Sequence, residues 1–278
     1  MKGFISKHPV IIMIGLVVIA QLGIKIRIGE GVWGQIPIRV VLGIVILGIL
    51  YTVAGKELFT WQKKSGRYGL IRSIYILIFP IVSFVMTIGL GALVGEVEIA
   101  KNWLSLSVAY LVYTLVIGFF EEGLFRGIIT NGFVKIMPKT KAGLFGAIVI
   151  SGLFFGFMHV WENLFDIGGN PLVVISQMTS KILVTGSVGI LLAAIYMKTK
   201  NIWICMIIHA LNDLFVMLIL AFMGLEISSI QYVDATATMD MSAVTMEIIG
   251  ALVVGLPNII ISYRITRKLE PTECVIWK

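Results

Sequence analysis

Three short polar motifs fall inside long apolar runs of this 278-residue chain: Glu121-Glu122-Gly-Leu-Phe-Arg126, Phe155-Gly-Phe-Met-His159 and His209-Ala-Leu-Asn-Asp213. An ionisable side chain at membrane depth costs roughly 2.5–3.5 kcal/mol on insertion scales, so a chain rarely carries one without a use. Together the motifs hold the residue types of a hydrolytic site. A carboxylate or imidazole can take a proton from water, and a neighbouring donor or cation can stabilise the oxyanion that forms.

The first motif divides its labour by helical spacing. Residues four apart share a helix face, so Glu122 and Arg126 can pair. Glu121 is turned by about 100° from Glu122 and can point elsewhere. A desolvated carboxylate held by no cation binds a proton more tightly than one in water, which suits a general base. A solvated charge cluster at a helix end would show the same spacing. In the second motif His159 lies one turn after Phe155 and two after Ser151, all on one face; a histidine there can equally pack or meet a headgroup. In the third, His209 and Asp213 are four apart in mid-span, with Asn212 flanking. An aspartate at that depth needs a partner, and such a pair can hold a metal, orient a base, donate to an oxyanion, or serve structure alone.

Other polar groups carry less information. Ser176, Gln177, Thr179, Ser180 and Lys181 cluster in one apolar run and could line a water path or make helix–helix hydrogen bonds. Pro257 with Asn258 marks an expected kink, and His8 reads as a residue beside the membrane. Cys205 and Cys274 are isolated, there is no CxxC, and His159-Val-Trp-Glu162 lacks the second histidine of HExxH. The chain therefore shows neither a disulfide framework nor a zinc spacing.

The elements that must position these residues follow from composition. The chain is 58% hydrophobic and 13% charged, with mean hydropathy +1.00. Soluble proteins carry about 25% charged residues, so this surface faces lipid. The net charge of +7 sits in short clusters between apolar runs, a pattern of loops facing anionic headgroups and not of nucleic-acid binding. A spanning helix needs about 20 apolar residues. On that rule eight spans are predicted: Pro9–Ile24, Ile36–Ala54, Gly69–Val94, Trp103–Val134, Gly143–Trp161, Leu172–Met197, Ile202–Gly224 and Ala243–Ile265. The fourth is long enough to require a tilt, or a break near Gly123 or Gly127. Pro9–Ile24 reads as a retained span and not a signal peptide, because Ala20-Gln-Leu-Gly23 is a poor cleavage site. The fold class is an all-α, multi-pass transmembrane bundle, a single integral membrane domain over 1–278 with its motif-bearing core at 103–224.

Basic residues set the expected orientation. Sixteen lie in one alternate set of segments (Lys2 and Lys7; Lys56, Lys63, Lys64, Arg67 and Arg72; Lys135, Lys139 and Lys141; Lys198 and Lys200; Arg264, Arg267, Lys268 and Lys278). Four lie in the other (Lys25, Arg27, Arg39 and Lys101), whose later loops carry Glu162, Asp166, Glu226, Asp234 and Asp240. Both termini are expected to be cytoplasmic. Counting about 1.5 Å per residue, Glu121 and Asp213 fall near mid-depth and His159 towards the outer side. The motifs can meet only if the fifth span starts later than Gly143, or is broken or tilted.

The order EExxxR, FxxxH, HxxxD on separate spans resembles the CPBP family of intramembrane proteases, which includes the type II CAAX prenyl endopeptidases, the bacterial Abi proteins and the lysostaphin resistance protein A group. The resemblance runs from Glu121 to Asp213, and the eight-span layout is similar too. It implies that Glu121 and His159 activate water, that His209 and Asp213 stabilise the oxyanion or contribute to a metal site, and that Glu122 and Arg126 hold the first motif in place. Phe155 and Asn212 support them. Relatives often carry Asn where this chain has Asp213, and aspartate suits a cation better than an oxyanion. The resemblance therefore leaves open a divalent metal such as zinc, held by His159, His209 and Asp213, or a metal-free glutamate mechanism. The implied activity is an endopeptidase of the bacterial cytoplasmic membrane acting on a membrane-associated peptide or protein, with the lipid bilayer as its other partner and no nucleic acid. Two rivals carry the same residues: a non-catalytic bacteriocin-immunity or scaffold protein, and a small transporter, which would usually show internal repeats that this chain lacks.

Overall fold

The computed structural model describes residues 3, 7–165, 170–227, 233–234 and 239–277. Lys2, Asp166 and Lys278, used above in the loop-charge count, lie outside the described residues. Among the described residues the chain is all-helical, with no strand. Its eight main helices are α1 (Pro9–Ile24), α2 (Ile36–Ala54), α3 (Lys63–Phe84), α4 (Trp103–Glu122), α5 (Lys141–Met158), α6 (Pro171–Thr199), α7 (Ile202–Met223) and α8 (Met241–Thr266). Seven helical stretches are long and apolar enough to cross a membrane. The exception is α1, expected as the first span, which has 16 residues. The protein is a multi-pass membrane protein.

Local chemistry sets the ends. The Asn201 side chain accepts from the amides of Trp203 and Ile204 and starts α7, while Gly224, at φ 69°, ends it in the left-handed region that favours glycine. Asp240 caps α8; the Ser242 hydroxyl, then the Ala243 amide, hold its carboxyl below the ordinary range. Helix α3 begins six residues before the apolar run expected to span, because Lys63, Lys64 and Arg67 are good helix formers that extend it. Pro257 lies within α8, which continues past it.

The helices gather into two compact units, one of residues 1–136, 199–229 and 275–278, the other of 137–198 and 230–274. In the first, α7 packs along α4 and α3, and α2 packs on α4. The start of α7 is tied to the segment before α3: the Trp203 indole donates to the Phe59 carbonyl at 2.7 Å, and Asn201 Nδ2 donates to the Thr60 carbonyl at 2.9 Å. No break interrupts α4 at Gly123. Instead the helix widens into a π-helical segment, Gly123–Thr130, and continues as Asn131–Ile136. A Cβ on Gly123 or Gly127 would meet Leu47 at 2.9 Å or Leu50 at 2.6 Å, so this stretch presents its glycines to α2.

The second unit contains α5, α6 up to Lys198, and α8. A Cβ on Gly152 would stand 2.5 Å from the Ile190 amide nitrogen, and one on Gly156 2.5 Å from the Ile182 carbonyl oxygen. The Gly152-x-x-x-Gly156 stripe thus brings α5 and α6 backbone to backbone, as small residues do between membrane helices. Buried Asn258 donates to Ser187 Oγ at 3.1 Å, linking α8 to α6. Ser176 Oγ donates to Glu247 Oε2 at 3.3 Å, and Gln177 Oε1 accepts from the Asp234 amide. Of the two roles open to the Ser176–Lys181 cluster, these bonds match hydrogen bonding between elements.

Candidate active site

Two helices bring the first and third motifs together. Gly118 lies one turn before Glu122, and Ala210 follows His209. A Cβ on Gly118 would stand 2.6 Å from the Met206 carbonyl oxygen and 3.3 Å from the Ala210 amide nitrogen. The α4 and α7 backbones therefore approach as closely as glycine permits, one turn from the chemistry. A Gly118→Val variant is expected to force them apart, losing about 1–3 kcal/mol, as overpacking does. Thermal unfolding in detergent checks this.

At the crossing the polar groups form one continuous chain. Arg126 Nε lies 2.9 Å from Glu122 Oε2, with both side chains fully buried. The other Glu122 oxygen, Oε1, lies 2.7 Å from His209 Nδ1. A carboxylate paired to arginine can only accept, so Nδ1 carries a proton and donates it. On the far side of the ring, His209 Nε2 lies 3.3 Å from Asp213 Oδ2 and 3.8 Å from Glu121 Oε2. Asn212 Nδ2 donates to Asp213 Oδ1 at 3.1 Å. Exposure grades along the chain from 0% at Glu122 and Arg126 through 6% at His209 to 22% at Glu121 and 24% at Asp213. The fully buried end is fixed structure, and the half-buried end is a pair of carboxylates flanking one imidazole nitrogen.

The geometry separates the two glutamates as their spacing predicts: Glu122 pairs with Arg126, and Glu121 does not. It also adds a contact that helical spacing within each motif does not carry, the bond from His209 to Glu122 across two helices. Glu122 is thus the group that orients His209 as well as the partner of Arg126. The available signal was the small residue beside each motif, Gly118 and Ala210, which marks where two helices can cross closely.

The widening after Glu122 is secured by side chains. Thr130 Oγ1 donates to the Phe125 carbonyl at 2.8 Å, and Asn131 Nδ2 donates to the carbonyls of Gly127 at 2.8 Å and Arg126 at 3.2 Å. These bonds serve carbonyls that a wide turn leaves poorly matched, and such turns are frequent at functional sites.

His159 belongs to the second unit. Helix α5 begins at Lys141, before the expected Gly143, runs without a break, and leaves His159 as the residue just past its end. The late start and the break that were considered are therefore absent. The motif itself has a clear local logic. His159 Nδ1 lies 2.8 Å from the Phe155 carbonyl oxygen, which can only accept, so Nδ1 carries the proton and Nε2 is the ring's acceptor. The Phe155 ring meets the imidazole edge-on, with centroids 4.7 Å apart at 78°. Phenylalanine four residues before histidine thus fixes both the tautomer and the plane of the ring.

Among the described residues no three of His, Cys, Asp or Glu form a group suited to a metal ion. Of the three residues expected as ligands, His209 and Asp213 belong to the first unit, with Nε2 3.3 Å from Asp213 Oδ2, and His159 to the second.

Comparison with known proteins gives one family. No curated protein and no solved structure matches the chain. Residues 102–215, fewer than half of the chain, match the family model described as type II CAAX prenyl endopeptidase Rce1-like. The match begins beside the start of α4 and ends two residues past Asp213, so it encloses all three motifs, and it agrees with the resemblance of those motifs to the CPBP family.

Proposed function

We propose that this protein is an intramembrane endopeptidase that hydrolyses a peptide bond in a membrane-associated peptide or protein. The observation that carries the reading is the convergence on His209: one ring nitrogen is held by the buried Glu122–Arg126 pair, and the other faces Glu121 and Asp213. Such a ring cannot rotate without breaking its 2.7 Å bond to Glu122, so the group offered towards Glu121 has a fixed direction, which is what preorganised catalysis needs.

In this mechanism Glu121 is the general base. It takes a proton from a water that attacks the scissile carbonyl carbon, and the carbonyl π electrons move to oxygen. His209 Nε2, when it carries a proton, donates to that oxyanion. Asp213, held by Asn212, sits beside Nε2 and stabilises the protonated ring. Collapse of the tetrahedral intermediate expels the amine, which takes the proton held on Glu121. The motif resemblance adds His159 to the activation of water. Surrounding helices limit bulk water, which strengthens each of these interactions.

Comparing protein termini in membranes of cells carrying wild type or Glu121→Ala, at matched expression, tests the proposal. New termini confined to wild type support it and name the substrate. Identical termini, with the wild-type phenotype retained by the variant, would move the protein to the immunity or scaffold class. Because the mechanism uses proton chemistry alone, cleavage is expected to persist with a membrane-permeant zinc chelator such as 1,10-phenanthroline. A loss that added zinc reverses would instead make His209 and Asp213 metal ligands.

A further inference from the structure

The charge on α3 is confined to its start. Lys63, Lys64, Arg67 and Arg72 are exposed, and among the described residues none of them makes an ion pair with a carboxylate. No Asp or Glu occurs between Lys63 and Gly95. The acidic residue before them is Glu57, in the short helix Lys56–Phe59.

Helical spacing puts these cations on one side. The buried residues of α3 are Gly66, Gly69, Ser73, Ile76 and Pro80. At about 100° per residue they define an inward face, and the mean direction of the four cations lies opposite it. Arg72 stacks its guanidinium over the Tyr68 ring one turn back, 5.6 Å from the centroid, which steadies the cation at the surface.

The same outward side then changes character. Ile71, Ile74, Ile78, Val82 and Val85 are exposed along it, and no charged residue occurs from Ser73 to Leu93. The helical stretch Lys63–Leu93 has 31 residues, about 46 Å at 1.5 Å per residue, whereas the hydrocarbon core is about 30 Å thick. The excess of roughly ten residues matches the charged stretch Lys63–Arg72. With its uncharged part in the hydrocarbon, the helix holds its cations at headgroup depth, beside an apolar stripe that faces lipid. Tyrosine is enriched at that depth, and guanidinium takes two phosphate oxygens at once. One face thus offers phosphate contacts and then acyl-chain contacts, in the order in which a phospholipid presents these groups.

We infer that this face of α3 is a binding site for an anionic phospholipid, with the phosphate on Lys64, Arg67 and Arg72 and the chains along Ile71, Ile74 and Ile78. The site stands on the charge pattern and length of α3, independently of the peptidase reading.

Thermal unfolding of the delipidated full-length protein in neutral detergent tests this. The probes are dioleoyl phosphatidylglycerol, dioleoyl phosphatidylcholine, glycerol 3-phosphate and poly-L-glutamate. Phosphatidylglycerol is expected to raise the midpoint by several degrees through preferential binding to the folded state, and phosphatidylcholine and glycerol 3-phosphate are not. A variant carrying Lys64→Gln, Arg67→Gln and Arg72→Gln should lose the shift. One carrying Arg264→Gln, Arg267→Gln and Lys268→Gln, three exposed cations at the end of α8, removes as much charge and should keep it. Equal shifts from the two lipids, equal shifts in wild type and the α3 variant, or an equal loss in both variants would overturn the site. A shift from glycerol 3-phosphate as large as that from phosphatidylglycerol would assign the face to free phosphate. A shift from poly-L-glutamate alone would assign it to an acidic protein, and either result overturns the lipid site. If the α3 variant unfolds without added probe, Arg72→Lys decides: it keeps the charge and loses the paired hydrogen bonds, so its shift must be smaller than that of wild type.

Discussion

Replacing Glu121 by glutamine should lower the cleavage rate by about 10²–10⁴-fold, the range supplied by a positioned general base, while the protein still inserts and unfolds at nearly the wild-type midpoint. Glutamine has the same shape, and Glu121 lies at the half-buried end of the polar chain, 3.8 Å from His209, so the change removes a proton acceptor and little packing. The measurement is single-turnover cleavage of a substrate found by the termini comparison, with the unfolding midpoint recorded in parallel. A rate within a few-fold of wild type would remove Glu121 from the chemistry. A large fall in midpoint would show that it works by holding the helices.

Glu122 should behave in the opposite way, and a pair of variants separates its two roles. Arg126→Met alone leaves a buried carboxylate without its cation, and breaking a buried pair from one side costs about 3–5 kcal/mol. Replacing both partners, as Glu122→Leu with Arg126→Met, removes both charges and fills similar volume. A swap of that kind is often close to neutral, so the double variant should recover most of the stability lost by the single one. Activity should not return, because the bond from His209 Nδ1 to Glu122 is gone and the ring loses its orientation. Chemical denaturation of all variants, read as a double-mutant cycle, alongside the cleavage assay, checks both halves. Restored activity in the double variant would mean that Glu122 only holds the fold.

Much of this arrangement was legible before any coordinates. Helix α2 runs over Ile36–Ala54 in both readings because a proline near its start and Gly55 after its end bound an uninterrupted apolar run. The pairing of Glu122 with Arg126 and of His209 with Asp213 followed from a spacing of four, which is local geometry. The Glu122–His209 bond was not legible, since residues 87 apart in sequence meet only where α4 and α7 cross, and helical period says nothing about which helices are neighbours. The early start of α3 was missed for another reason: hydropathy marks where lipid begins, whereas a helix rich in lysine and arginine continues into the headgroup layer. Arg39 was read as one of four basic residues in a count of loop charges. Its stacking on Tyr113 depends on a helix 74 positions further along the chain.

The wide turn at Gly123–Thr130 also bears on how this chain tolerates insertion and deletion. A π-helical turn holds one more residue than the α-helical turn it replaces, so the segment works as an accommodated single-residue insertion. Removing one residue, Ile128 for example, would let the helix close to the ordinary period. Because the wide turn already absorbs that residue, the helix beyond it would keep its present phase against α2, and what changes is the spacing at which Thr130 and Asn131 meet the carbonyls of Phe125, Arg126 and Gly127. This stretch should therefore accept a single-residue deletion better than the regular helix on either side of it, where the same change would turn everything after it by about 100°.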